Sequence, residues 1–127
     1  MASNVLDASA VLAVLNAEPG GEVVIASLPD AIMSAVNYAE VVSKLIERGA
    51  TLEQIRTVMA AIEVTVSNFD LPLAERTGTL RGTTRHLGLS LADRACLALA
   101  EREGVPVLTA DHSWRDVGQG LEVRLIR

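Results

Sequence analysis

Four acidic residues stand where a sheet of parallel strands would bring their carboxylates together. Two follow predicted strands and two lie near the start of predicted helices: Asp7, Glu40, Asp93 and Asp111. Carboxylates that converge on one rim raise one another's pKa unless a cation is present. Oxygen ligands suit hard metals such as Mg²⁺ and Mn²⁺, and no histidine or cysteine stands at a matching place to favour zinc. The four acids therefore predict a divalent-metal site.

Each acid also has an ordinary structural interpretation. Asp7 and Asp111 could cap the helices that follow them, because aspartate is a preferred N-cap residue. Asp93 completes a capping-box pattern that begins at Ser90. Glu40 could pair with Lys44 one helical turn away, a surface contact worth about 0.3–0.5 kcal/mol. The prediction of a metal site therefore depends on the set of four.

The elements that must position these acids alternate between short strands and helices. Apolar and β-branched runs predict five strands, at Asn4–Leu6, Ala31–Met33, Val64–Val66, Val105–Thr109 and Leu121–Ile126. Helical patterns fall between them, at Ser9–Ala17, Glu22–Leu28, Val36–Arg48, Thr51–Glu63, Leu71–His86 and Ser90–Glu103. We expect a kink or break at Gly78 and Gly82, since glycine costs about 1 kcal/mol relative to alanine inside a helix.

Strands separated by helices need crossover connections, which implies a mostly parallel sheet covered on both faces. We predict the α/β class, with three layers (α/β/α) and about five strands in the central sheet, the last of them at an edge. In such a sheet ligands gather at the carboxyl ends of the strands, where helix N-termini also point. This edge is where the four acids are expected.

Composition favours a single globular domain, which we place at residues 1–127. The chain is 50% hydrophobic and 21% charged, as soluble proteins are. Its one cysteine, Cys96, lies in an apolar run and is expected to be buried in a reducing compartment. The first residues do not resemble a signal peptide, and no apolar stretch approaches the length of about 18 residues that a membrane span needs. We expect a cytoplasmic protein without membrane association.

The net charge of −5 argues against a simple nucleic-acid binder, because it repels phosphate. Tyr38, Phe69 and Trp114 are the only aromatic residues, so a base-stacking platform is not expected. A bound divalent cation at the acidic rim would supply local positive charge and let such a chain approach phosphate.

Four segments resemble the acidic motifs of one known family. Residues Val5–Ala10 look like the opening of a PIN domain, and Ser34–Val41 look like its glutamate-bearing helix. Gly88–Ala95 and Val107–Trp114 resemble the third and fourth acidic motifs. Their order and spacing match over the whole chain. The resemblance is to the VapC branch, whose members are toxins that cut RNA and are held inactive by a cognate antitoxin.

This resemblance implies roles for individual residues. It implies that Asp7, Glu40, Asp93 and Asp111 are catalytic metal ligands for Mg²⁺ or Mn²⁺, with the hydroxyls of Ser9 and Thr109 in support. Asp116 could add a fifth acid or lie on a solvated helix. Arg81 and Arg85 could clamp the RNA backbone or simply belong to a solvated helix face.

The resemblance implies that the protein is an endoribonuclease, which hydrolyses phosphodiester bonds with the assistance of a metal ion. A tRNA or ribosomal RNA substrate, a cognate antitoxin and a homodimer are its implied partners. The predicted helices Ser9–Ala17 and Val36–Arg48 could supply the dimer face, or could only fill the core. Nothing in the sequence names the RNA target.

Two other functions remain open from the sequence. A PIN scaffold without catalysis could bind RNA or protein, although the presence of all four acids disfavours this. A receiver-type signalling module also combines an acidic pocket with a doubly wound sheet, but its chemistry needs a late lysine. The only lysine in the chain is Lys44, on an early helix.

Overall fold

A computed structural model describes residues 2–127 and shows a parallel sheet between two layers of helices. The strands are β1 (Asn4–Leu6), β2 (Ala31–Ser34), β3 (Thr65–Ser67), β4 (Val107–Thr109) and β5 (Val123–Leu125). Their order in the sheet is β3-β2-β1-β4-β5, and each neighbouring pair is parallel. The predicted α/β class and five-stranded sheet are confirmed, with β5 at an edge.

Six α-helices connect and cover the strands. They are α1 (Ala8–Leu15), α2 (Gly21–Ser27), α3 (Ala35–Glu47), α4 (Leu52–Ile62), α5 (Leu71–Thr84) and α6 (Leu91–Glu103). Short 3₁₀ turns lie at Leu28–Asp30, Arg85–Leu87 and His112–Asp116. Thr51 and Ser90 each begin a helix with a complete capping box. Gly104 ends α6 with a positive φ of 67°, a backbone conformation that glycine adopts without strain.

Alternate residues of the central strands face two separate hydrophobic cores. In β1, Leu6 packs among residues of α1 to α4, while Val5 packs against α5 and α6 on the other face. In β4, Leu108 and Val107 divide between the same two cores. Val5 and Leu6 are both fully buried, as expected for a strand covered on both sides. This is the predicted three-layer arrangement.

Helix α5 differs from the sequence prediction, because it runs unbroken through Gly78 and Gly82. Both glycines are exposed, and the two cost about 2 kcal/mol together relative to alanine. The same helix buries Leu73 and Leu80, and full burial of each leucine contributes about 1.5–3 kcal/mol. The packing of the buried face therefore outweighs the propensity of the exposed one, and the expected break was wrong.

Strand β4 begins later than predicted, at Val107 instead of Val105. Pro106 has no N–H to donate to a ladder, although its carbonyl accepts from Val5 N at 2.9 Å.

Cys96 is fully buried, as expected. In the described part of the chain, no helix has the length and apolar character needed to cross a membrane.

The strand order has a reversal that the sequence alone does not reveal. From β1 the chain builds outward to β2 and β3 on one side, then returns to place β4 and β5 on the other side. The crevice between β1 and β4 is therefore a topological switch point, where open α/β sheets bind their ligands beyond the carboxyl ends of the strands. Asp7 and Asp111 follow these two strands.

Candidate functional site

Asp7 is held at the carboxyl end of β1, where it caps α1. Its Oδ1 accepts hydrogen bonds from Ala10 N at 2.9 Å and from Ser9 Oγ at 2.6 Å. Its Oδ2 accepts from Thr109 Oγ1 at 2.6 Å. Only 6% of its surface is exposed, so both carboxylate oxygens are fixed in orientation. The capping role expected for Asp7 is present together with its place at the switch point.

Burial makes the charged form of Asp7 costly. Loss of solvation raises the pKa of Asp7 from 3.8 to about 6, against the lowering effect of its three hydrogen bonds, and the nearby charge of Asp93 adds to the rise. A cation that binds beside a buried carboxylate of this kind favours its charged form.

Two hydroxyls tie the end of β1 to the end of β4. Thr109 is fully buried; its Oγ1 donates to Asp7 and accepts from Asp111 N at 3.0 Å. Ser9 Oγ donates to Asp7 and accepts from Ala110 N at 2.9 Å. Each hydroxyl therefore orients the Asp7 carboxylate while fixing the backbone that leads to Asp111. The structure places Ser9 and Thr109 beside Asp7, where a supporting role requires them.

Asp93 and Asp111 each use one carboxylate oxygen for capping. Asp93 Oδ2 accepts from Ser90 N at 2.9 Å, and Asp111 Oδ1 accepts from Ser113 N at 2.9 Å and Ser113 Oγ at 2.7 Å. Among residues 2–127, the other oxygen of each has no hydrogen-bond partner. Capping and metal binding are therefore compatible, because a carboxylate has two oxygens and the cap uses one.

Glu40 is held by Asn37, a residue to which the sequence analysis gave no role. Asn37 is 1% exposed; its Nδ2 donates to Glu40 Oε1 at 3.3 Å and to the carbonyl of Ala92 at 3.1 Å. Ala92 directly precedes Asp93, so one buried amide links the Glu40 helix to the Asp93 helix. The only sequence signal was a polar residue one turn before Glu40, which is common on amphipathic helices.

One cleft of about 280 Å³ brings all four acids together. Its lining also includes side chains that were not predicted, and the whole set is Asp7, Ala8, Ser9, Leu12, Glu18, Glu40, Lys44, Arg48, Asp93, Asp111 and Arg127. Asp116, Arg81 and Arg85 do not belong to this lining. All three are exposed, Asp116 at the end of the last 3₁₀ turn and the two arginines at the C-terminal end of α5 and just beyond it.

Cys96 lies in the core close to three of the acids and is not a nucleophile. Burial raises the pKa of its thiol well above the ordinary value, and the charges of Asp7, Asp93 and Glu40 add to the rise. A reactive cysteine needs the opposite, a positive and accessible environment that favours the thiolate. The chemistry of this cleft therefore belongs to the carboxylates.

The donors of the cleft fit a hard divalent cation in type. Carboxylate oxygens are the ligands that Mg²⁺ and Mn²⁺ prefer, and Asp93, Asp111 and Glu40 each keep one free. Among residues 2–127, however, no three acidic, histidine or cysteine side chains already stand close enough to share one ion. Like charges favour such separation, and a cation would favour closer approach. The site is thus an open acidic cleft whose oxygen donors are of the type that hard cations bind.

Comparisons with known proteins give both a family and a set of similar folds. The sequence profile of the PIN domain matches residues 5–120. No curated protein sequence matches the chain significantly.

Several solved structures are similar in fold. A toxin–antitoxin complex from Klebsiella pneumoniae is 18% identical with a TM-score of 0.76, and the match covers 98% of each chain. DNA-bound VapBC from Salmonella typhimurium is 17% identical with a TM-score of 0.78 over 100% of each chain. VapBC-5 from Mycobacterium tuberculosis is 22% identical with a TM-score of 0.63, covering 100% of this chain and 99% of the other.

Proposed function

Because this chain belongs to the PIN domain family, we propose that it is a metal-dependent endoribonuclease and the toxin of a VapBC-type toxin–antitoxin pair. One observation carries the proposal. Asp7, Glu40, Asp93 and Asp111 come from four separate segments and line one cleft at the topological switch point. Asp7, Asp93 and Asp111 each cap a different helix, but Glu40 caps none. Asp93 and Asp111 also keep one carboxylate oxygen each that the cap does not use, so capping alone does not explain the set.

The four acids would hold one or two Mg²⁺ or Mn²⁺ ions. When bound, such ions activate water and neutralise charge on the phosphodiester, which favours in-line hydrolysis. The chain's own residues fix the carboxylates that do the holding: Ser9 and Thr109 orient Asp7, and Asn37 orients Glu40. The cation also reconciles a net charge of −5 with a substrate made of phosphates.

The partners follow from the same proposal. The solved structures of similar fold include toxin–antitoxin complexes, which supports a cognate antitoxin as the protein that restrains this chain. We further propose action in the cytoplasm on tRNA or ribosomal RNA, and a homodimer. Helix α3 offers apolar surface for a dimer contact, because Ile46 on this helix is 47% exposed.

The direct test is cleavage of purified total RNA by the wild type and Asp93→Asn, with Mg²⁺, with Mn²⁺ and with EDTA. Asparagine retains the ability to cap α6 but removes charge from the cleft, so the variant tests metal binding more than folding. Asp30→Asn is a matched control, since Asp30 is exposed and precedes β2, at the opposite end of the sheet from the cleft.

We expect discrete, metal-dependent cleavage by the wild type and Asp30→Asn, and a loss of about 100-fold or more in Asp93→Asn, the scale on which catalytic groups contribute. Equal inactivity of all three folded proteins under every metal condition would contradict the proposal. That result would favour a PIN scaffold that binds RNA or protein without catalysis.

A further inference from the structure

The acidic cleft also contains three basic residues, and only one of them is paired. Arg127 Nη1 donates to the carbonyl of Pro19 at 2.8 Å and lies 3.5 Å from Glu18 Oε1. Lys44 and Arg48 line the same cleft, yet neither makes an ion pair with any of residues 2–127. Two exposed cations therefore face the cleft without an acidic partner.

Every charged residue of the cleft lining except Lys44 and Arg48 can be matched with an opposite charge. Glu18 is balanced by Arg127, which leaves the four proposed metal ligands. Two divalent ions would balance those four acids. Lys44 and Arg48 then remain as surplus positive charge at the opening of the cleft. In a protein of net charge −5, such a local surplus is where an anionic substrate is attracted.

The spacing of the pair fits a linear anion. Lys44 lies four residues after Glu40, and Arg48 lies four residues after Lys44, so the three residues follow one face of α3 and its C-cap. Each step advances about 6 Å along the helix axis. The two cations therefore form a row that leads away from the proposed metal ligands over about 12 Å. A row of this kind suits the successive phosphates of a nucleic-acid strand better than one small anion.

We propose that Lys44 and Arg48 bind two backbone phosphates of the RNA beside the phosphate that is cut, so that α3 guides the strand into the cleft. The inference rests on the proposed ribonuclease function. Both residues touch the substrate and neither holds the metal. Phosphate contacts set the register of a strand without reading its bases, so the pair contributes affinity and position, not sequence preference.

The test measures RNA binding separately from cleavage. A fluorescent single-stranded RNA of about twelve nucleotides is titrated with wild type, Lys44→Gln, Arg48→Gln and the double variant in Ca²⁺, a divalent ion with the same preference for oxygen ligands. The titration is repeated from 50 to 300 mM KCl. Arg56→Gln/Arg124→Gln is the matched control: it removes the same charge from two exposed arginines outside the cleft lining. Mn²⁺ affinity is measured by calorimetry, and cleavage is followed in Mn²⁺.

For the double variant we expect the slope of log K against log [KCl] to be shallower by about 1.4. Each phosphate contact on a single strand contributes about 0.7 to that slope. The same relation predicts binding about 20-fold weaker at about 0.1 M salt. The control should keep the wild-type slope, and Mn²⁺ affinity should not fall in any variant. A double variant with the wild-type slope would overturn the inference, as would an equal loss in the control.

The outcomes also separate the inference from the function on which it rests. If the wild type binds RNA but does not cut it in Mn²⁺, the proposed function fails, while the salt slopes still decide the role of Lys44 and Arg48. If the wild type does not bind RNA at all, both proposals are overturned.

Discussion

The burial of Asp7 predicts an unusual dependence of stability on pH in the metal-free protein. The folded-state pKa of about 6 lies above the ordinary value of 3.8 that applies to the unfolded chain. Between these values the folded state retains a proton that the unfolded state releases. Stability therefore falls as pH rises through this window, which is the reverse of the usual behaviour of a paired carboxylate.

The size of the effect follows from the pKa difference. A shift of one pKa unit corresponds to 1.36 kcal/mol, so the full penalty on ionised Asp7 is about 3 kcal/mol. Between pH 4 and pH 7 about 2 kcal/mol of it develops, mostly below pH 6. Asp7→Asn removes the titration but can still accept the hydrogen bonds of Ala10 N and Ser9 Oγ. Its stability relative to wild type should therefore rise by about 2 kcal/mol over this range.

The assay is denaturant unfolding of EDTA-treated wild type, Asp7→Asn and Asp30→Asn at intervals from pH 4 to pH 8. Comparing each variant with wild type at every pH cancels effects that do not depend on protonation, such as altered packing. Asp30→Asn controls for removal of an exposed carboxylate. Parallel curves for wild type and Asp7→Asn across the whole range would refute the claim that burial keeps Asp7 protonated in this window.

Four further perturbations test other parts of the structure. Mn²⁺ at about 100 times its dissociation constant should stabilise the wild type by about 2.7 kcal/mol, measured by thermal unfolding, but should stabilise Asp7→Asn much less. Asn37→Ala should raise the Mn²⁺ concentration for half-maximal cleavage several-fold, because Glu40 loses the amide that orients it. Gly78→Ala should stabilise by about 1 kcal/mol in denaturant unfolding, since the added methyl would meet no atom within 4 Å. Thr109→Val should cost about 1–3 kcal/mol by the same measurement, because the buried Asp7 carboxylate loses a donor at 2.6 Å.

For each of these four predictions, one result would contradict the structural reasoning. Equal Mn²⁺ stabilisation of wild type and Asp7→Asn would place the metal elsewhere. An unchanged Mn²⁺ requirement in a folded Asn37→Ala variant would reduce Asn37 to a packing role, and a Thr109→Val protein as stable as wild type would mean that the hydroxyl does not support Asp7. A destabilised Gly78→Ala would mean that α5 needs its glycines for something other than helix formation.

Local patterns were enough to predict most of the fold. Short apolar runs that precede Asp7 and Asp111 locate β1 and β4, and the Ser90 capping box locates the start of α6. Both depend on neighbours along the chain. The error at Gly78 and Gly82 arose because the burial of Leu73 and Leu80, which depends on tertiary packing, outweighs the local cost of glycine.

The site was predictable only in part, for a related reason. Asp7 and Asp111 could be placed because the carboxyl ends of parallel strands share one edge. Glu40 could be placed only as a member of the set of four, since taken alone its helix offers an ordinary surface interpretation. Lys44 carried one local signal, its position one turn after Glu40, which was interpreted as a surface ion pair. Only the packing of α3 beside the switch point turns the face that carries Lys44 and Arg48 toward the acids.

In the proposed function, the four acids of this cleft together hold a divalent cation. Calorimetric titration of Mn²⁺ into wild type, Asp93→Asn, Asp111→Asn and the control Asp30→Asn tests it most directly. We predict binding of one or two ions per chain to wild type and Asp30→Asn, with affinity at least about tenfold weaker in each cleft variant, the scale on which loss of an interaction near a metal acts. Equal Mn²⁺ affinity in all four folded proteins, or no binding to the wild type, would contradict it.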